Sequence, residues 1–186
     1  MTHNHLDQWL ADEQVVRERL ASGPGPGVAR LDQVVGLTGL ELMQAILNGE
    51  LPYAAIAKTL DFVLVSVSKG HATFQGTPGT QLLNPLGTVH GGWFATLLDS
   101  ALGCAVHTMM PPGRSYTTAE LGVNLVKAIT PKVQRVRAEG KVIHCGRQLA
   151  TAEARLVGRT ARCTRMPPRP AWCLICRPPE RGAILF

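Results

Sequence analysis

The spacing of apolar positions changes along the chain, and each change marks a different kind of element. From Leu6 to Ala21, charged residues alternate with Leu and Val at helical spacing, which predicts a short amphipathic helix. Ser22-Gly-Pro-Gly-Pro-Gly27 then interrupts regular structure, so this leader is expected to be a loosely attached appendage. A second helix is expected from Thr38, a good N-cap, to Leu47, with Asn48-Gly49 as its stop. Pro52 opens a short connection holding Ile56 and Leu60.

Beyond Asp61 the period shortens. Phe62 to Ser68 reads as a strand, Lys69-Gly70 as a turn, and His71 to Gln75 as the hairpin partner. Gly76 to Leu86 is loop. Val89 to Met109 follows, and its middle, Trp93 to Val106, is almost wholly apolar; a helix apolar on nearly every side belongs at the centre of a fold. Pro111-Pro112-Gly113 stops it. Three strand-like runs come next: Ser115 to Lys127, Lys132 to Cys145, and Arg147 to Thr160. Alternation within them, as in Ala150-Thr-Ala-Glu-Ala-Arg-Leu156, argues for an antiparallel sheet with one wet face. Two strands, a buried helix and three more strands describe an α+β layer with the sheet curled around the helix.

Within the apolar helix Asp99 is the only carboxylate. Burying it ionised and uncompensated costs several kcal/mol, so it is paired, exposed at an interface, or retained for chemistry. Just before the helix lies Asn84-Pro-Leu-Gly-Thr-Val-His-Gly-Gly92. A glycine-rich turn entering a helix leaves the first N–H groups without intrahelical partners, and the dipole adds positive potential there. Such a tip suits a developing oxyanion, although an ordinary loop-to-helix junction looks the same. Gly91 and Asp99, eight residues apart, stand about 12 Å from each other on one helix, too far to serve one carbonyl. Two such helices packed antiparallel across a two-fold axis would bring Gly91 of one subunit beside Asp99 of the other.

The charge and composition narrow the partners. With 45% hydrophobic and 17% charged residues the chain can bury one sizeable core. The net charge of +6 suits a polyanion, but the basic residues are scattered and aromatics are only 5%, which favours a phosphate-bearing small molecule over nucleic acid. Five cysteines without a signal peptide point to free thiols in a reducing, cytoplasmic setting, and no stretch reaches the ~18 apolar residues of a membrane span. Cys173-Leu-Ile-Cys176 is a lone CxxC, weak as a zinc site, so no metal is expected. His107 and His144 read as packing or surface residues, and Met109-Met110 as a core cap.

Asn84-Pro-Leu-Gly-Thr-Val-His-Gly-Gly, Asp99, and Tyr116-Thr-Thr-Ala-Glu-Leu-Gly-Val-Asn124 together resemble the hotdog-fold acyl-CoA thioesterases of the phenylacetate-degradation (PaaI-like) type. Val142-Ile-His-Cys-Gly-Arg147 is similar to their turn between sheet strands, and the match runs from about Leu60 to Val157. The resemblance implies a hotdog fold, an antiparallel sheet wrapped around a long central helix. It also implies hydrolysis of an acyl-CoA thioester by a homodimer at minimum, or a tetramer, with coenzyme A as part of the substrate and no other cofactor. Gly91 then corresponds to the N–H that polarises the carbonyl, and Asp99 to the carboxylate that activates water or attacks directly. Asn84 corresponds to an amide orienting the thioester or the lytic water. Thr118, with Thr117 as competitor, corresponds to a hydroxyl holding that water. His90 either shapes the turn or acts as a base. Arg147, Lys127 and Lys132 are expected at the coenzyme A phosphates, or else as solvated strand ends.

Three segments are expected: a helical extension over residues 1–55, the hotdog domain over 56–160, and a Pro/Arg-rich tail over 161–186. The tail departs from the family, because Ala161-Arg-Cys-Thr-Arg-Met-Pro-Pro-Arg-Pro170 replaces the last strand and its prolines lack the ladder donor. The codons of Arg162 to Pro167, read out of frame, permit Leu-Tyr-Ala-His-Ala, a strand ending typical of such thioesterases. A frameshift, real or from sequencing, is therefore one reading of the tail; with the sequence as it stands, an exposed sheet edge that lowers stability is expected. Two rivals remain: a non-catalytic acyl-CoA-binding module or sensor, and a hotdog dehydratase.

Overall fold

The computed structural model describes residues 3–125, 127–158 and 171–176. Four helices, α1 (His3–Ser22), α2 (Leu31–Val34), α3 (Gly39–Leu47) and α4 (Ala55–Thr59), precede the hairpin β1 (Phe62–Ser68) and β2 (His71–Gly76). The long helix α5 (Gly91–His107) follows, then β3 (Ser115–Glu120), β4 (Val136–Cys145), β5 (Leu149–Gly158) and β6 (Ala171–Cys176). All strand pairs are antiparallel, in the order β1-β2-β4-β5-β6-β3. The sheet wraps around α5, and the α+β hotdog expectation holds.

Local chemistry accounts for several boundaries. Thr38 and Glu41 form a reciprocal capping box at the start of α3, and Gly49 takes φ 77° just past its end. Gly70 turns the first hairpin at φ 75°. α5 sits low in the sheet because Gly140 meets it: a β-carbon there would lie 2.2 Å from the Ala101 carbonyl oxygen. Phe62, Leu64, Phe74, Trp93, Leu97 and Ala138 share the main core.

Two expectations need correction. α1 is docked, not loose: Val16 and Leu20 pack on Val63, on the face of β1 opposite to Phe62 and Leu64. Its polar side is locked as well, since Glu13, 3% exposed, accepts hydrogen bonds from Gln75, Arg17 and Arg135. The Gly/Pro break is also fixed, by paired backbone bonds between Gly25, Gly27 and Tyr53.

The second correction concerns the tail. Ala171–Cys176 forms β6, inserted between β5 and β3, so the sheet extends past Thr160 and the slot expected to be empty is filled. The prolines that argued against a strand lie before it, in 159–170, and this stretch, with the frameshift reading, lies outside the described residues. β3 is shorter than expected, ending at Glu120 after a bulge. The chain then runs irregularly back to α5, where the Ile129 carbonyl accepts from Val89 N–H at 2.9 Å.

Candidate active site

The loop before α5 is a closed unit. An isolated bridge joins Leu83 to Val89, and Asn84 stitches the residues between them. The Asn84 Oδ1 accepts from Leu86 N–H at 2.9 Å and Thr88 N–H at 3.2 Å, while Nδ2 donates to Thr88 Oγ1 at 2.8 Å. One Nδ2 proton is left over.

His90 is the N-cap of α5, its Nδ1 accepting from Gly92 N–H at 2.9 Å and its carbonyl from Trp93 N–H. That geometry is the turn-shaping role, and it requires Nδ1 to be unprotonated. The Gly91 N–H, at the first helical position, meets no acceptor among the described residues. It projects from the positive end of the helix dipole, flanked by the half-exposed Leu125, whose Cδ1 would lie 2.8 Å from a β-carbon at position 91.

Two turns along, Asp99 is half-buried and accepts a hydrogen bond from Thr118 Oγ1 on β3 at 2.9 Å. Of the two neighbouring threonines, Thr118 faces the helix and Thr117 faces solvent. Asp99 Oδ2 has no partner among the described residues, yet it is not sealed from solvent. Cys104 lies beside this carboxylate, and burial, reinforced by the charge of Asp99, pushes its thiol up to about 12. It is no nucleophile at neutral pH. His107, further along, has its imidazole pushed down by burial and packs on Tyr116.

The three basic candidates are all exposed, but the fold separates them. Lys127 and Lys132 flank Ile129 and so sit near the glycine tip. Arg147 lies in the β4–β5 turn near the other end of α5, where Arg114, which the sequence did not single out, donates to its carbonyl at 2.8 Å. The Gly103–Tyr116 contact was also missed; a glycine inside the apolar helix was its one trace. Among the described residues there is no cluster of His, Cys, Asp and Glu able to hold a metal, and no helix long and apolar enough to cross a membrane.

Comparison with known proteins bears on the fold. Residues 86–162 match the model of the thioesterase superfamily. A conserved protein from Pseudomonas aeruginosa superposes with a TM-score of 0.53 at 24% identity, covering 66% of this chain and 90% of that one. The PaaI protein from the phenylacetic acid degradation operon of E. coli gives 0.52 at 20%, covering 65% and 80%. A phenylacetic acid degradation-related protein from Ralstonia eutropha gives 0.57 at 22%, covering 71% and 94%. No curated protein matches the chain. Likeness at these identities establishes the fold, while the superfamily match spans the segment that carries Gly91, Asp99 and Thr118. Residues 86–162 thus resemble the thioesterase superfamily, and the fold, a sheet wrapped around α5, is the hotdog fold that the PaaI protein also has.

Proposed function

We propose that the protein hydrolyses an acyl-CoA thioester to a free acid and coenzyme A, using sites shared between two subunits. The observation that carries this reading is the Thr118–Asp99 hydrogen bond, which orients one carboxylate oxygen and leaves the other open. The open oxygen is not sealed from solvent, so a water molecule can reach it beside Thr118.

In the reaction, Oδ2 of Asp99 takes a proton from water as the water oxygen attacks the thioester carbon. Thr118, whose single proton is already given to Asp99, uses a lone pair to hold that water. The carbonyl becomes an oxyanion accepted by the Gly91 N–H of the other subunit at the tip of its helix. Collapse of the tetrahedral intermediate breaks the C–S bond, and the departing thiolate recovers the proton from Asp99. Asn84 and His90 hold the loop and cap that aim the Gly91 N–H. In an antiparallel helix pair the far end of one α5 overhangs the glycine tip of the other, so Arg147 of one subunit joins Lys127 and Lys132 of its neighbour around the phosphates. That arrangement reconciles their separation within a single chain.

A free-thiol assay over short, long and aromatic acyl-CoAs tests the activity. Release of coenzyme A with turnover is expected. Tight binding with no thiol released favours the binding-module rival, and hydration or dehydration of an enoyl thioester favours the dehydratase.

A further inference from the structure

Glycine inside a helix lowers stability relative to alanine, so an interior glycine asks for a reason. Gly103 is buried on α5, one turn beyond Asp99 and on the same helix face. A β-carbon there would lie 2.1 Å from the hydroxyl oxygen of Tyr116 and within 2.9 Å of two of its ring carbons. The tyrosine therefore rests directly on the helix backbone, and its ring leans on His107 with centroids 5.8 Å apart. Tyr116 and Thr118 are two residues apart on β3 and project to the same side, one onto Gly103 and the other onto Asp99. Four helical residues rise about 6 Å and two strand residues about 6.6 Å, so the two contacts are in step.

We propose that Gly103 and Tyr116 are positioning residues: the tyrosine seated on the glycine holds β3 at the separation from α5 where Thr118 reaches Asp99. This rests on Asp99 being the catalytic carboxylate. Such a seat matters for β3, whose one strand neighbour among the described residues is β6 and which bulges between Thr118 and Glu120. Without the seat, Thr118 would share the looseness of a strand end.

The test is steady-state kinetics on whichever acyl-CoA the full-length protein turns over best. Gly103→Ala should lower kcat about tenfold with KM little changed, as expected for loss of one hydrogen bond to a charged group. Tyr116→Leu, which removes the ring without demanding space, should act in the same direction if the alanine variant folds poorly. In a Thr118→Val background neither substitution should lower kcat further, since the bond they maintain is already gone. Unchanged kcat in both variants, or losses that multiply with that of Thr118→Val, would overturn the proposal. So would a crystal structure of Gly103→Ala with Thr118 still bonded to Asp99, whether or not the wild-type protein proves active. Absence of wild-type thioester hydrolysis, or full activity in Asp99→Asn, would instead end the reading beneath it.

Discussion

On the outer face of the sheet, Glu13 lies 3% exposed among Gln75, Arg17 and Arg135, and both of its oxygens are taken. On the inner face, Asp99 holds one partner, Thr118, and keeps its second oxygen open. Each carboxylate comes from a helix that packs on the sheet, yet the two are finished differently. Around Glu13 the network extends to Arg137, which donates to Gln75 and Asp12 and lies over the Trp9 ring at 4.5 Å. Complete satisfaction within the protein makes a clamp of Glu13, whereas the accessible second oxygen of Asp99 is what the proposed hydrolysis needs.

The sharpest way to break this contrast is to neutralise each carboxylate. Asp99→Asn should lower kcat about 10³-fold, within the range for a lost general base, with no loss of thermal stability. Retained turnover would remove Asp99 from the chemistry. Glu13→Ala should do the reverse, costing about 2 kcal/mol in urea unfolding by taking an acceptor from the buried Gln75 amide and from the partly exposed Arg17 and Arg135, with kcat per folded molecule unchanged.

Acid should expose the clamp as well. Burial pushes the Glu13 carboxyl up, but hydrogen bonds from Gln75, Arg17 and Arg135 outweigh it, and the net shift is down. For Asp12 the hydrogen bond from Arg137 is the main cause, also downward. Carboxyls depressed in the folded state stabilise it above their ordinary values, 4.5 and 3.8, and that contribution is lost as pH falls through the depressed values. Unfolding midpoints should therefore drop below about pH 4.5 in the wild type and less steeply in Glu13→Gln. Parallel curves would locate the acid sensitivity elsewhere.

Smaller effects sharpen the site. Thr118→Val should lower kcat about tenfold while Thr117→Val changes it little, as their opposite orientations require. His90→Ala should cost about 1 kcal/mol of stability as a lost N-cap. A kcat loss as large as that of Asp99→Asn would instead make His90 a base.

Much of the fold was legible because its signals are local. Thr38, Glu41 and Gly49 delimit α3, Gly70 fixes the first hairpin, and the apolar run around Leu97 marks the helix the sheet wraps. What escaped depends on distant partners. The α1 clamp joins Glu13 to residues 62 and 122 positions away, and nothing near Glu13 announces them. β6 was overlooked because the Pro-rich stretch before it obscured Ala171–Cys176, a short apolar run with strand character. Within the site, Asp99 and Gly91 were legible as anomalies of an apolar helix. The Thr118 register and the Tyr116 seat needed the packing of β3 against α5.

The central claim is that Asp99 of one subunit acts on a carbonyl held by Gly91 of another, and subunit mixing addresses it directly. Gly91→Pro removes that N–H at a helix position where proline is tolerated. Neither Gly91→Pro nor Asp99→Asn should be active alone. Unfolded and refolded together in equal amounts, they should recover about one quarter of wild-type thioesterase activity, since half the dimers are mixed and each mixed dimer has one intact site. No recovery in verified mixed dimers would contradict the shared site.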